Sequence, residues 1–132
     1  EADRRQRQMC IRDRYSSGEH GSASWMQEWK FAEWGADVVL AGHDHTYERI
    51  SPPNDILYFV NGLGGKSIYE FPDEVEGSQL RYNDDYGAML ADVSLGKIRF
   101  RFINRQGEVI DDFELVKPLK FFYFPVFQNS AP

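Results

Sequence analysis

"DVVLAGHDHTYER", residues 37–49, is the stretch on which the reading of this chain turns. Its first half is β-branched and aliphatic without alternation, the pattern of a strand buried on both faces of a sheet. Gly42 then frees the backbone, and His43 and His45 follow where an open α/β sheet usually places its ligand site. In an extended segment, side chains two residues apart leave the same side of the chain, roughly 6–7 Å from each other. Two imidazoles at that spacing could each hold one ion of a metal pair lying about 3.5–4 Å apart. The plainer alternative for any H-x-H is a pair of surface-loop histidines.

Upstream, "YSSGEHGSAS" (15–24) is rich in Ser and Gly and reads as a loop carrying a third histidine, His20. Ser24 followed by Gln27 matches a capping box, and "WMQEWKFAEW" (25–34) is predicted as a helix with Trp25, Trp29 and Ala32 along one face. Gly35 would stop it. Downstream, "SPPND" is a turn and "ILYFVNG" a second apolar strand. "GLGG" (62–65) lacks the spacing of a phosphate-binding loop and reads as a close-packed turn. "PDEVEGSQLRYNDDYG" (72–87) is predicted as a long, solvated acidic loop. Three strands follow: "GAMLADVSL", "KIRFRFIN" and "EVIDDFELV". In the middle one Ile98, Phe100 and Phe102 alternate with Arg99 and Arg101, which marks an antiparallel strand with one wet face. "NRQGE" is a hairpin loop with Gly107 supplying a positive φ.

The whole chain, 132 residues with 42% hydrophobic content, allows one modest globular domain. No apolar run approaches the ~20 residues of a membrane-spanning helix. A net charge of −6 argues against a nucleic-acid surface, and the single Cys10 cannot form an internal disulfide. Residues 1–14, "EADRRQRQMCIRDR", hold five arginines against three acids and show neither strand nor helix period. They are read as a non-native leader, residues 15–117 as the domain, and 118–132 as an aromatic tail of unassigned role.

Helix, apolar strand, "GHDHTYER" and then antiparallel strands together resemble the C-terminal half of a calcineurin-like metallophosphoesterase. The likeness is to the purple acid phosphatase and tartrate-resistant acid phosphatase branch. It spans about Tyr15 to Val116 and is strongest over "YSSGEHGS" and "DVVLAGHDHTYER". The resemblance implies an α/β fold: the C-terminal part of a four-layer α/β/β/α sandwich, with a parallel strand at the site and antiparallel strands at the end. It implies that His43 binds the second, divalent metal and His45 the first, often ferric, metal (iron paired with zinc, manganese or iron). It implies that His20 faces the substrate phosphate and protonates the leaving alcohol. Gly42, Asp44, Tyr47, Glu48 and Arg49 would support the site. The expected activity is phosphoric monoester hydrolysis by a metal-bound hydroxide. A phosphodiesterase or nucleotidase is the nearest alternative, and an inert binding or structural module the alternative of another class. A secreted or periplasmic location goes with the resemblance.

The departures are as specific as the match. None of the family's upstream strings G-D-x-G, G-D-x-x-Y or G-N-H-E occurs. A further ligand histidine is implied nine residues before His20, where Ile11 stands, with Asp13 in place of a proline. The expectation is therefore a truncated product: a C-terminal half whose partner is a missing N-terminal half, with an incomplete metal site and little activity alone.

Overall fold

The computed structural model describes residues 12–53 and 55–117. Among these, seven strands form two sheets. The first sheet contains β1 (Val38–Ala41), β2 (Tyr47–Ile50), β3 (Leu57–Asn61) and β4 (Ser78–Tyr82), in the order β1-β3-β2-β4. β1 runs parallel to β3, while β2 is antiparallel to both β3 and β4. The second sheet is an antiparallel meander of β5 (Gly87–Ser94), β6 (Lys97–Asn104) and β7 (Val109–Val116), turned at Gly107 with φ 84°.

The apolar strand β3 explains how the layers stack. Its successive residues point to opposite faces, and Leu57, Tyr58, Phe59 and Val60 are all buried. Leu57 and Phe59, with Tyr47 and Leu63, meet Phe100 and Phe102 of the second sheet. The Tyr47 and Phe102 rings stack at 4.1 Å between centroids, and Phe59 lies 4.9 Å from Phe100. Tyr58 and Val60, with Ile50 of β2, form a second cluster on the far face against Tyr15, Phe31, Val39 and Val75. The first sheet is thus covered by a sheet on one side and by the irregular segment 13–31 on the other. Asp111 of β7 clips the two sheets together. It accepts hydrogen bonds from the Tyr47 hydroxyl (2.9 Å) and from Arg49 Nε (2.8 Å).

The α/β expectation does not hold: among the described residues the fold is two β-sheets with no α-helix. The capping box fails first. A single 3-10 turn, Ser24–Met26, forms where the helix was expected, and no side chain caps it. Gln27 instead donates through its amide to the Arg14 carbonyl, while Arg14 donates back to the Gln27 carbonyl. Trp25 and Trp34 are left 53% and 66% exposed, stacked edge-on with Trp29 and Phe31 rather than packed in the core. A short helix draws most of its stability from burying one face, and nothing among the described residues covers that face.

Two further corrections concern strands. β1 is an edge strand with Leu40 53% exposed, not one buried on both faces. The segment 72–87, expected as loop, contains β4, whose alternating burial follows from pairing with β2. Asp13 and Arg14 are buried, and Arg14 donates to the Tyr58 hydroxyl at 2.6 Å and pairs with Asp55 at 3.2 Å. Residues 1–11, and the tail 118–132, lie outside the described residues.

Candidate functional site

The parallel pair β1–β3 ends at Ala41 and Val60, and from this carboxyl edge two loops rise side by side. Gly62, just past β3, sits where a Cβ would come within 1.9 Å of the Asp44 carbonyl oxygen. Only glycine allows the two loops to lie this close. Gly42 is similarly pressed, its Cβ position 3.0 Å from the Asn61 carbonyl. The segment 42–46 carries His43 and His45, and the Ser/Gly loop 15–22 brings His20 alongside.

Three buried carboxylates fasten these loops. Asp13 accepts the backbone N–H groups of His43 (3.2 Å) and Asp44 (2.7 Å). Asp44 in turn accepts the backbone N–H of His20 at 2.9 Å and the Ser16 hydroxyl. Glu48, fully buried in β2, accepts the Ser17 N–H (2.9 Å) and the hydroxyls of Ser17 and Ser78, both at 2.6 Å. The chain of contacts Asp13–histidine loop–Asp44–His20 loop fixes the histidines from the backbone, leaving the rings themselves outside the core. Burial pushes the Asp13 carboxyl up to about 6, against the opposing pull of its two backbone donors.

The His20 and His43 rings lie 4.6 Å apart between centroids, tilted by 38°. His20 is exposed and His43 half-buried. Burial first, and the neighbouring His20 second, hold the His43 imidazole below the ordinary histidine range, favouring the neutral form that a metal ligand requires. His45 Nδ1 lies 2.8 Å from the Ser67 carbonyl oxygen. A carbonyl can only accept, so Nδ1 carries the proton and Nε2 keeps its lone pair. Tyr69 stacks on the His45 ring at 4.2 Å and meets His20 edge-on at 5.4 Å.

All three expected histidines are therefore at one corner. The expected supporting residues divide into two groups. Gly42, Asp44 and Glu48 build the corner. Tyr47 and Arg49 face the other way, into the contact between sheets, where they hold Asp111. Glu19 is exposed beside His20. Ser16 and Ser17 lie in the "YSSGEHGS" loop, but Asp13 and Tyr69 join the corner without any signal in the sequence, because their partners lie far along the chain. Among the described residues, no group of three or more His, Cys, Asp or Glu side chains is placed to hold a metal ion. The carboxylates nearest the imidazoles, Asp13, Asp44 and Glu48, are turned onto backbone and hydroxyl donors. The donor set is thus a partial fit: two imidazoles, both suited to a borderline cation such as zinc, without the third and fourth ligands it usually takes. A cleft of about 530 Å³ opens at the opposite end of the sheets, near Leu57, Ile98 and Leu115, and has no part in this site.

The fold has a counterpart among solved structures. It is similar to GAP50, described as the anchor in the inner membrane complex of Plasmodium, with a TM-score of 0.68 and 23% identity. The match covers 82% of this chain and 35% of that one, so the chain spans about a third of its neighbour's length. At that identity the likeness shows the fold alone. No family model and no curated protein matches the chain. Among the described residues no helix is long and apolar enough to cross a membrane. The resemblance to the metallophosphoesterases is corrected accordingly: the neighbour found is described as an anchor, no family is shown, and the hydrolase and phosphatase description that came with the resemblance has no support from it.

Proposed function

We propose that the histidine corner is part of a site for a phosphate ester and a divalent cation, in which His43 and His45 are cation ligands and His20 faces the ester. The observation that supports it is the His20–His43 pair, 4.6 Å apart between ring centroids, with His45 linked to His20 through the Tyr69 ring and its Nε2 lone pair left by the Nδ1 bond to Ser67. A cation held there would supply positive charge and Lewis acidity at the phosphoryl group. His20 stands next to His43 with its ring exposed, and in this reading it hands a proton to a departing alkoxide. With further ligands the corner would cleave a phosphomonoester. With two imidazoles alone it binds and does not turn over at an enzyme-like rate, since a working zinc site usually takes three or four protein ligands and no further one is placed among the described residues.

Calorimetric titration of the purified chain with zinc, and then with inorganic phosphate, tests this reading. Zinc binding lost in a His43→Ala, His45→Ala double variant, and phosphate binding seen only with zinc present, are the expected results. Zinc affinity untouched by the double variant would overturn it. A chromogenic phosphomonoester supplied with iron, zinc or manganese is expected to be hydrolysed at background rate. Turnover abolished by the double variant would show that two imidazoles suffice.

A reading without catalysis, as a binding module, is favoured by one observation: every buried carboxylate near the histidines is already committed to a protein donor. Retention of phosphate binding together with absent turnover in any metal would select it.

A further inference from the structure

The segment after the glycine turn, Ser67 to Tyr69, grips His45 at three points. The Ser67 carbonyl accepts from Nδ1 at 2.8 Å, the Tyr69 N–H donates to the His45 carbonyl at 3.1 Å, and the Tyr69 ring stacks on the imidazole at 4.2 Å and 25°. The edge of the same tyrosine meets His20 at 5.4 Å. Tyr69 is itself anchored from below, since Asn83 donates to its carbonyl at 2.9 Å. The Nδ1 bond fixes the tautomer and pins one edge of the imidazole, and the Tyr69 N–H fixes the backbone of His45. The stacked tyrosine adds a face that keeps the ring from tilting about that pinned edge. A half-buried imidazole on a loop otherwise samples several rotamers, and each lost rotamer weakens ligand binding by the entropy of fixing it.

We propose that Tyr69 is a positioning residue, an aromatic clamp that holds the His45 ring with Nδ1 on the Ser67 carbonyl and the Nε2 lone pair available to a cation. The proposal rests on the reading of His45 as a cation ligand, and it adds a residue that touches neither cation nor ester. It acts through His45, as outer partners of metal-bound histidines do. The face of the ring provides the clamp, so the hydroxyl is dispensable and phenylalanine suffices.

Two measurements on the full chain separate this proposal from the one it builds on. In zinc titration, Tyr69→Ala is expected to lower affinity about 10-fold or more, within the range for lost outer-sphere support, while Tyr69→Phe stays within about 2-fold of wild type. In NMR spectra of the metal-free protein, the His45 ring protons lie upfield through the tyrosine ring current. They move downfield in Tyr69→Ala and hold in Tyr69→Phe, while His43 ring signals stay. Tyr69→Leu, which keeps apolar bulk, replaces the alanine variant if that one fails to fold. A zinc affinity equal in Tyr69→Ala and wild type, or His45 signals indifferent to loss of the ring, would overturn the clamp. Failure of wild type to bind zinc would sink the cation reading instead, leaving the clamp to be judged on the His45 signals.

Discussion

Replacing Glu48 by alanine removes the fastening between β2 and the loop that carries His20, and its cost can be worked bond by bond. Glu48 is 0% exposed and accepts three hydrogen bonds: one from the Ser17 N–H, one from the Ser17 hydroxyl and one from the Ser78 hydroxyl. The Ser17 N–H cannot rotate, and Ser17 is itself fully buried, so both of its donors lose their partner inside the protein. Ser78 is half-buried and can turn to water. Two stranded donors at roughly 1–3 kcal/mol each, partly offset by relief from holding a buried carboxylate, give about 2–5 kcal/mol. That is a large share of the ~5–15 kcal/mol stability of a domain. Glu48→Gln keeps the shape. Its amide oxygen can take the Ser17 N–H and its NH₂ can face hydroxyl lone pairs, although Ser17 Oγ already accepts from the Val75 N–H. A cost of about 1–2 kcal/mol is expected there. Urea unfolding followed by tryptophan fluorescence measures both. An alanine variant within about 1 kcal/mol of wild type, or a glutamine variant as costly as alanine, would refute the fastening.

Asp13 gives the pH prediction. Its carboxyl, ordinarily near 3.8, is raised to about 6 by burial, so the folded chain takes up this proton before the unfolded one as pH falls. The group costs stability above pH 6, by about 3 kcal/mol, and that cost fades between about pH 6 and 4. Wild type measured against Asp13→Asn should therefore gain by about that amount from pH 7 to 4, and parallel curves by urea unfolding would contradict the assignment. Gly62→Ala drives a Cβ against the Asp44 carbonyl and is expected to cost about 1–3 kcal/mol or more and to lower zinc affinity. A variant as stable as wild type would mean that the two loops are not in contact. Asp111→Ala leaves Tyr47 and the half-buried Arg49 without their acceptor, and about 3–5 kcal/mol should be lost in the same unfolding assay, less in Asp111→Asn. Equal stability of the alanine variant would argue against the clip between sheets.

Local pattern was enough to locate most of the strands and the glycine-bounded loop that carries His43 and His45. The alternation in "KIRFRFIN", the apolar run "ILYFVNG" and the glycine ahead of "HDH" each follow from neighbours in sequence, where period and turn chemistry act. The structure sets His43 and His45 just beyond β1 and His20 beside them because glycine closes the gap between loops. The helix over 25–34 was misread for the complementary reason. Its capping and period were sound locally, but a helix needs a surface to bury its face, and Arg14 instead takes the carbonyl of Gln27 while the tryptophans stay exposed. β4 was hidden in an acidic stretch because only its pairing with β2 makes it a strand. Asp13, set aside with an unpatterned leader, proves to hold the backbone of the histidine loop thirty residues away. Sequence by itself determined which side chains could do chemistry and where turns free the backbone. Tertiary structure alone decided which carboxylates are spent on fastening and which aromatic ring touches which imidazole, because those contacts join residues that share no local period.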